Sequence, residues 1–306
     1  MPLQLFLDIY HLQIYEKIMG LKPLIIVVFS AFLHAIWNLL YKRSEQKIIF
    51  IWAALVFSLI FYLPLFLIIK EKVIPFKGWT FILTTGLIHT LYFVMLGYGY
   101  KIGDLSLIYP LSRSAPLFVL LWAFIFIHEQ LSFMGIIGIF LTVLGAYLIG
   151  IPMISRDFLL TPFFHFRDKS YQMGILIALI VSIYSIVDSQ GVKIVHPFIY
   201  IYLDHIIIII LLGFYIFSKY RDLIVSEIQN RWKEISLVGI IDLFSYLLIL
   251  YVMRIAQVSY IVSVRQVSII FGILLSAFFL KEKSFKWRLA SGLFIFLGVF
   301  IIGIKG

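Results

Sequence analysis

Apolar runs of close to twenty residues, separated by short polar breaks, fill almost the whole chain from residue 23 onward. A helix rising ~1.5 Å per residue needs about twenty mostly apolar residues to cross a hydrocarbon core of ~30 Å. Measured against that length, the pattern predicts about ten membrane-spanning helices. They run over Pro23–Tyr41, Ile48–Ile69, Trp79–Tyr100, Ser106–Ile127, Phe133–Gly150, Gln172–Gln190, Phe198–Phe217, Ile235–Met253, Ser259–Leu280 and Lys286–Ile304. The two-residue alternation of a barrel strand is absent, and a helix satisfies every backbone donor and acceptor within its own segment. Two connections are longer, Ile151–Tyr171 and Ser218–Glu234; the rest are short enough to make neighbouring helices antiparallel.

The pattern also repeats. Sliding the second half against the first by about 153 positions sets Ser106 on Ser259, Ile108 on Ile261, Phe126 on Phe279, Glu129 on Glu282 and Gly145 on Gly298. A slightly different shift brings Ala31 and Trp37 onto Ala178 and Tyr184. The chain therefore divides into an N-terminal segment (1–22), a first five-helix unit (23–150), a linker (151–171) and a second five-helix unit (172–306). Asp8, His11 and Glu16 interrupt any signal-peptide core in the N-terminal segment, which reads as an interfacial helix or an overlong start ahead of Met19. An odd number of spans per unit places the two units in opposite orientations. The expected fold is thus an all-α integral membrane protein, two inverted five-helix repeats around a central cavity near the bilayer midplane.

Composition agrees. The chain is 63% hydrophobic and 13% charged with a mean hydropathy of +1.08, against roughly 45–50% and about 25% in soluble domains. Its net charge of +10 comes from basic residues scattered between apolar runs, where they orient and anchor helices, so nucleic acid is not an expected partner. With no cysteine and no HExxH cluster among the seven histidines, no metal site and no cofactor is expected. A GxxxxGK[ST] nucleotide loop is also missing. The expected partners are the bilayer, a small-molecule substrate, and a proton or another coupling ion. The expected location is the cell membrane, as a multi-pass monomer or homodimer.

Ionisable groups within a span cost about 2.5–3.5 kcal/mol each and so turn toward protein or water. Ser30, His34, Trp37, Asn38 and Tyr41 recur at three- and four-residue spacing and form one stripe on the first helix. That stripe faces a cavity, or its Trp37–Tyr41 end belongs to the interfacial aromatic belt. Arg113 lies between Pro110 and Pro116, where lost backbone donors disturb the helix, and suits a substrate carboxylate or phosphate or an ion pair with Asp188 or Asp242. By the repeat, Gln266 aligns with Arg113, and Arg265 stands beside it. Asp188 shares a face with Tyr184, and Asp242 with Tyr246; both lie near a helix end, and of the two readings, coupling proton or solvated interfacial carboxylate, the first is favoured for Asp188 and the second for Asp242. The candidate cavity set is His34, Trp37, Asn38, Tyr109, Arg113, Tyr184, Asp188, Asp242, Tyr246, Arg265 and Gln266. His89 and the Asp204–His205 pair are further ionisable positions, the pair weighted toward structure, and Glu129 and Glu282 read as helix-end charges. Gly138, Thr142, Ala146 and Gly150 form a small-residue ladder suited to close helix packing.

The run from Ser30 to Asn38 followed by Lys42, and the run from Tyr109 to Pro116 ahead of His128–Ser132, resemble EamA-type transporters of the drug/metabolite transporter superfamily. So do Tyr184, Asp188 and Gly191–Val192, then Arg265–Ser268 and Leu280–Glu282. The resemblance implies ten helices in two EamA repeats, a central cavity, and export or exchange of a metabolite or drug-like solute by one repeat rocking against the other. A lipid-linked headgroup flippase of the same fold is the alternative. An intramembrane enzyme would need a positioned nucleophile or metal-binding acids, and the sequence offers neither.

Overall fold

The computed structural model describes residues 19–70, 73–102, 108, 111–150, 168–280 and 285–306. Residues 1–18, most of the 151–171 linker, Tyr109 and Glu282 lie outside them. The described residues form ten helices. The first half holds α1 (Leu21–Lys42), α2 (Lys47–Ile68), α3 (Phe76–Ile102), α4 (Ala115–Trp122, extended by a π turn over Ala123–Ile127) and α5 (Phe133–Gly150). The second holds α6 (Lys169–Ile194), α7 (Pro197–Lys219), α8 (Arg221–Val252), α9 in two pieces (Val258–Val264 and Val267–Leu280) and α10 (Phe285–Lys305). Among the described residues, seven stretches are long and apolar enough to cross a bilayer, and Ala115–Ile127, Phe133–Ile149 and Leu289–Lys305 are shorter apolar helices. Large apolar side chains such as Phe61, Leu87, Phe214 and Phe300 stand exposed on the outer faces, as lipid-facing surfaces require.

The long connection expected over Ser218–Glu234 is itself helical. It forms the start of α8, which bends where Arg231 leaves helical geometry (φ −132°, ψ 21°). This polar turn is tied to the α1–α2 corner: Glu227 accepts from Ser44 Oγ (2.8 Å) and Arg231 Nη2 donates to the Arg43 carbonyl (2.7 Å). A sequence with little apolar content can hold a helix when its polar side chains find such partners.

Packing follows the repeat. The most extensive pairings are α5 with α10, α2 with α8, α3 with α6, and α1 with both α8 and the second piece of α9. Next come α3 with α7, α2 with α7, and α4 with α6. Advance every label by one unit of five helices and this set maps onto itself. The α2–α8 contact becomes α7–α3, α3–α6 becomes α8–α1, and α1–α9 becomes α6–α4, while α5–α10 and α2–α7 exchange with themselves. That is the signature of a pseudo-twofold relation between inverted halves. It also means that the core lies between the halves rather than within either.

Two glycine positions make the relation visible at atomic scale. A Cβ on Gly86 of α3 would meet Ile207 Cβ of α7 at 2.8 Å, and one on Gly239 of α8 would collide with the Ala54 carbonyl of α2. Shifted by about 153 positions, each pair becomes the other. In the α5–α10 seam, a Cβ on Gly138 would meet the Gly298 carbonyl at 2.8 Å. Lipid offers no hydrophobic drive between helices, so close backbone approach of this kind supplies the attraction.

Candidate functional site

Both halves interrupt a helix at the same place. In the first, Arg113 and Ser114 form a turn ahead of α4, with Pro116 in its opening turn. In the second, Arg265 and Gln266 form the turn between the pieces of α9. Tight bonds bridge both breaks: Leu117 N to Ser114 O and Ile269 N to Gln266 O, at 3.0 and 2.9 Å. An arginine therefore stands at each interruption.

Beside the second interruption lies a chamber of about 60 Å³, lined by His34 and Trp37 of α1, His89, Tyr92 and Phe93 of α3, and Tyr184 of α6. Asp204, His205 and Ile208 of α7, Asp242, Ser245 and Tyr246 of α8, and Arg265 complete the wall. Pockets for drug-sized ligands measure roughly 300–1,000 Å³, so this conformation accommodates only a compact solute.

Behind the wall, Asp188 of α6 is fully enclosed and gathers three hydroxyls. Thr85 Oγ1 of α3 (2.5 Å) and Tyr200 Oη of α7 (2.8 Å) donate to its Oδ1, and Tyr246 Oη of α8 donates to its Oδ2. One carboxyl thus cross-links four helices from both halves. Gly191, one turn along α6, makes this possible, since any Cβ there would run into the Tyr200 ring. His89 stands between two carboxyl groups, with Nδ1 3.0 Å from Asp204 Oδ2 and Nε2 3.8 Å from Asp188 Oδ2. Its ring packs against Tyr184 at 4.3 Å.

Of the residues expected from sequence, His34, Trp37, Tyr184, Asp242, Tyr246 and Arg265 line the chamber. Asp188 and Gln266 are buried, but neither is part of the wall. Asn38 Nδ2 donates to the His34 carbonyl within α1 (2.8 Å). Arg113 lies close enough for its charge to act on His34, Tyr92 and Tyr184. Arg265 stacks on the Tyr246 ring at 5.2 Å. Tyr109 is outside the described residues. Sequence reasoning did not bring in Tyr92, Phe93, Thr85 or Tyr200, and set Asp204 and His205 aside as structural. The repeat held a usable signal: a shift of about 153 lays His89 on Asp242.

The profile of the EamA-like transporter family matches residues 21–151 and 168–304. The chain belongs to the EamA-like transporter family. This EamA-like protein is a multi-pass membrane protein of a family that moves small solutes. A protein of known crystal structure superposes with a TM-score of 0.68 at 14% identity, over 92% of this chain and 96% of that one. At that identity the likeness speaks for the fold. No curated protein sequence matches.

Proposed function

We propose that this EamA-like protein is a secondary transporter of the cell membrane, exporting or exchanging a small metabolite by alternating access, with proton movement as the driving force. The units 23–150 and 172–306, joined by 151–171, are its two repeats. The observation that carries the reading is a pair of interrupted helices, one in each half, each with an arginine at the break whose charge reaches residues of one polar chamber. Broken helices at the midplane suit both solute binding and changes of angle.

In this reading Asp242 carries the coupling proton. Its carboxyl group lines the chamber and has no hydrogen bond or ion pair within 4 Å among the described residues. It can take up and release a proton without breaking a protein contact. Asp188, by contrast, would first have to give up Thr85, Tyr200 or Tyr246. The purified chain in liposomes with an imposed pH gradient tests this. Asp242→Asn should abolish gradient-driven accumulation while solute counterflow persists, and Asp188→Asn should lower both together through lost stability. Full gradient-driven uptake in Asp242→Asn would remove the coupling role.

A further inference from the structure

At one end of the bundle α2 begins where α3 and α7 finish, and a crevice of about 360 Å³ opens there. Its wall holds Glu45, Gln46, Lys47 and Ile48 from the start of α2, Gly97 of α3, and Tyr220 at the end of α7. The central chamber shares none of these residues. Gly97 lets α3 close against α2 at this point, since a Cβ on it would strike Ile48 at 2.9 Å. The volume falls within the roughly 300–1,000 Å³ of small-ligand pockets.

The wall carries both signs of charge. Lys47 Nζ donates to the Ser44 carbonyl (2.7 Å) and at 3.4 Å to that of Lys42, and keeps a third hydrogen for another acceptor. Lys219 adds a second cation at the same corner. Its ammonium lies 4.9 Å from the Tyr215 ring, which packs on Tyr220 at 5.9 Å. The Glu45 carboxylate has no hydrogen bond or ion pair among the described residues. Helix ends mark the membrane–water boundary, so the crevice lies at the depth of lipid headgroups. The two helices that close it, α3 and α7, present Leu91, Tyr98, Phe214 and Phe217 to the exterior, where acyl chains run.

We propose that this crevice binds a phospholipid whose headgroup carries a primary ammonium, of the ethanolamine type. The phosphate rests on Lys47, with Lys219 and Tyr220 beside it, and the ammonium donates to Glu45 and the Gln46 side-chain carbonyl. Basic pockets between membrane helices bind lipid phosphates, and Glu45 refines the choice. An anionic glycerol headgroup would bring only negative charge to that carboxylate, and a quaternary choline has no N–H to donate to it. The exposed apolar side chains of α3 and α7 favour a lipid over a free phosphate ester, which has nothing to lay on them. Such a lipid sits at the rim of the bundle, apart from the chamber, and binds whether or not the chain transports a solute.

Native mass spectrometry of the purified, delipidated full chain, titrated with lipids of identical acyl chains, tests the assignment. The first ethanolamine lipid should bind about threefold to fivefold more tightly than its choline or glycerol counterpart. Glu45→Gln should bring the three within about twofold of one another. Lys47→Gln should weaken all three by a similar factor, since each carries the phosphate, while Lys77→Gln at the far end of α3 should leave them unchanged. Lys47 also ties down the end of α1. Should its variant prove misfolded by size-exclusion profile, the wild-type ratios and the exposed Glu45→Gln decide. Soluble phosphoethanolamine in about tenfold excess should leave the lipid in place. Equal binding of the three lipids by the wild type, a preference that survives Glu45→Gln, or a loss in Lys77→Gln equal to that in Lys47→Gln overturns the assignment. Displacement by soluble phosphoethanolamine overturns it too, by making the ligand a water-soluble phosphate ester.

Discussion

Asp188 shows how a single side chain can hold a membrane bundle together. Three hydroxyls from three other helices converge on it, and in a low-dielectric interior each is costly to lose while its acceptor remains buried. Tyr200→Phe keeps the ring and removes the bond, and should lower stability by about 1–3 kcal/mol. Thermal unfolding in detergent measures it; a melting temperature unchanged from wild type would show that the bond contributes nothing. Much of this site was legible in the chain, because an ionisable residue inside an apolar run must face protein or water. That rule picked out His34, Asp242 and Arg265, and they do share one chamber. It set Asp188 ahead of Asp242 as the coupling carboxyl, although both read as carboxyls beside a tyrosine at helical spacing. What separates them is which long-range hydroxyls arrive, and Thr85 and Tyr200 carry no mark of that in their own neighbourhoods.

Among the elements, the corner between α4 and α5 ties the first half to the second. The π turn ends at His128, whose backbone is left-handed (φ 58°), a conformation uncommon outside glycine. The reversal delivers Glu129 to the start of α9, where it accepts from Val258 N (2.8 Å) and Ser259 Oγ (2.7 Å) as a cap supplied by the other half. Sequence alone made Glu129 a helix-end charge; its partners lie too far along the chain to be read from spacing. Burial raises its carboxyl above the usual glutamate range, opposed by those same hydrogen bonds. A raised acid holds more protons folded than unfolded, so its contribution to stability is fullest below the ordinary value of about 4.3 and is lost as pH climbs through the raised one. Wild type should therefore lose thermal stability relative to Glu129→Gln across that interval, and a wild type that gains on the variant as pH rises contradicts the assignment. In the α5–α10 seam, Gly298→Val should cost about 1–3 kcal/mol or more, because the new side chain would strike the Gly138 carbonyl and Thr142. Unfolding curves of the two proteins compare directly, and equal midpoints would mean the seam can give way.

Across the whole molecule, the helix count and the inverted repeat were readable because span length and odd parity are properties of the chain itself. How the halves engage was not, since periodicity says which face is apolar but not which helix covers it. The strongest pairings all join one half to the other. Expressed apart, the pieces 1–167 and 168–306 should each fail to accumulate in the membrane; expressed together, they should co-purify as a complex. Stable recovery of either piece alone would contradict so intermixed a core. The same interleaving bears on the alternating access proposed above. A swing of one repeat as a rigid block would shear nearly every seam in the protein, so the rocking pictured from sequence is the least economical motion available. The natural joints run elsewhere. One flank gathers α1, α8 and α9, its mirror gathers α6, α3 and α4, and each is a composite of both ancestries that can tilt as a body without unzipping its own members.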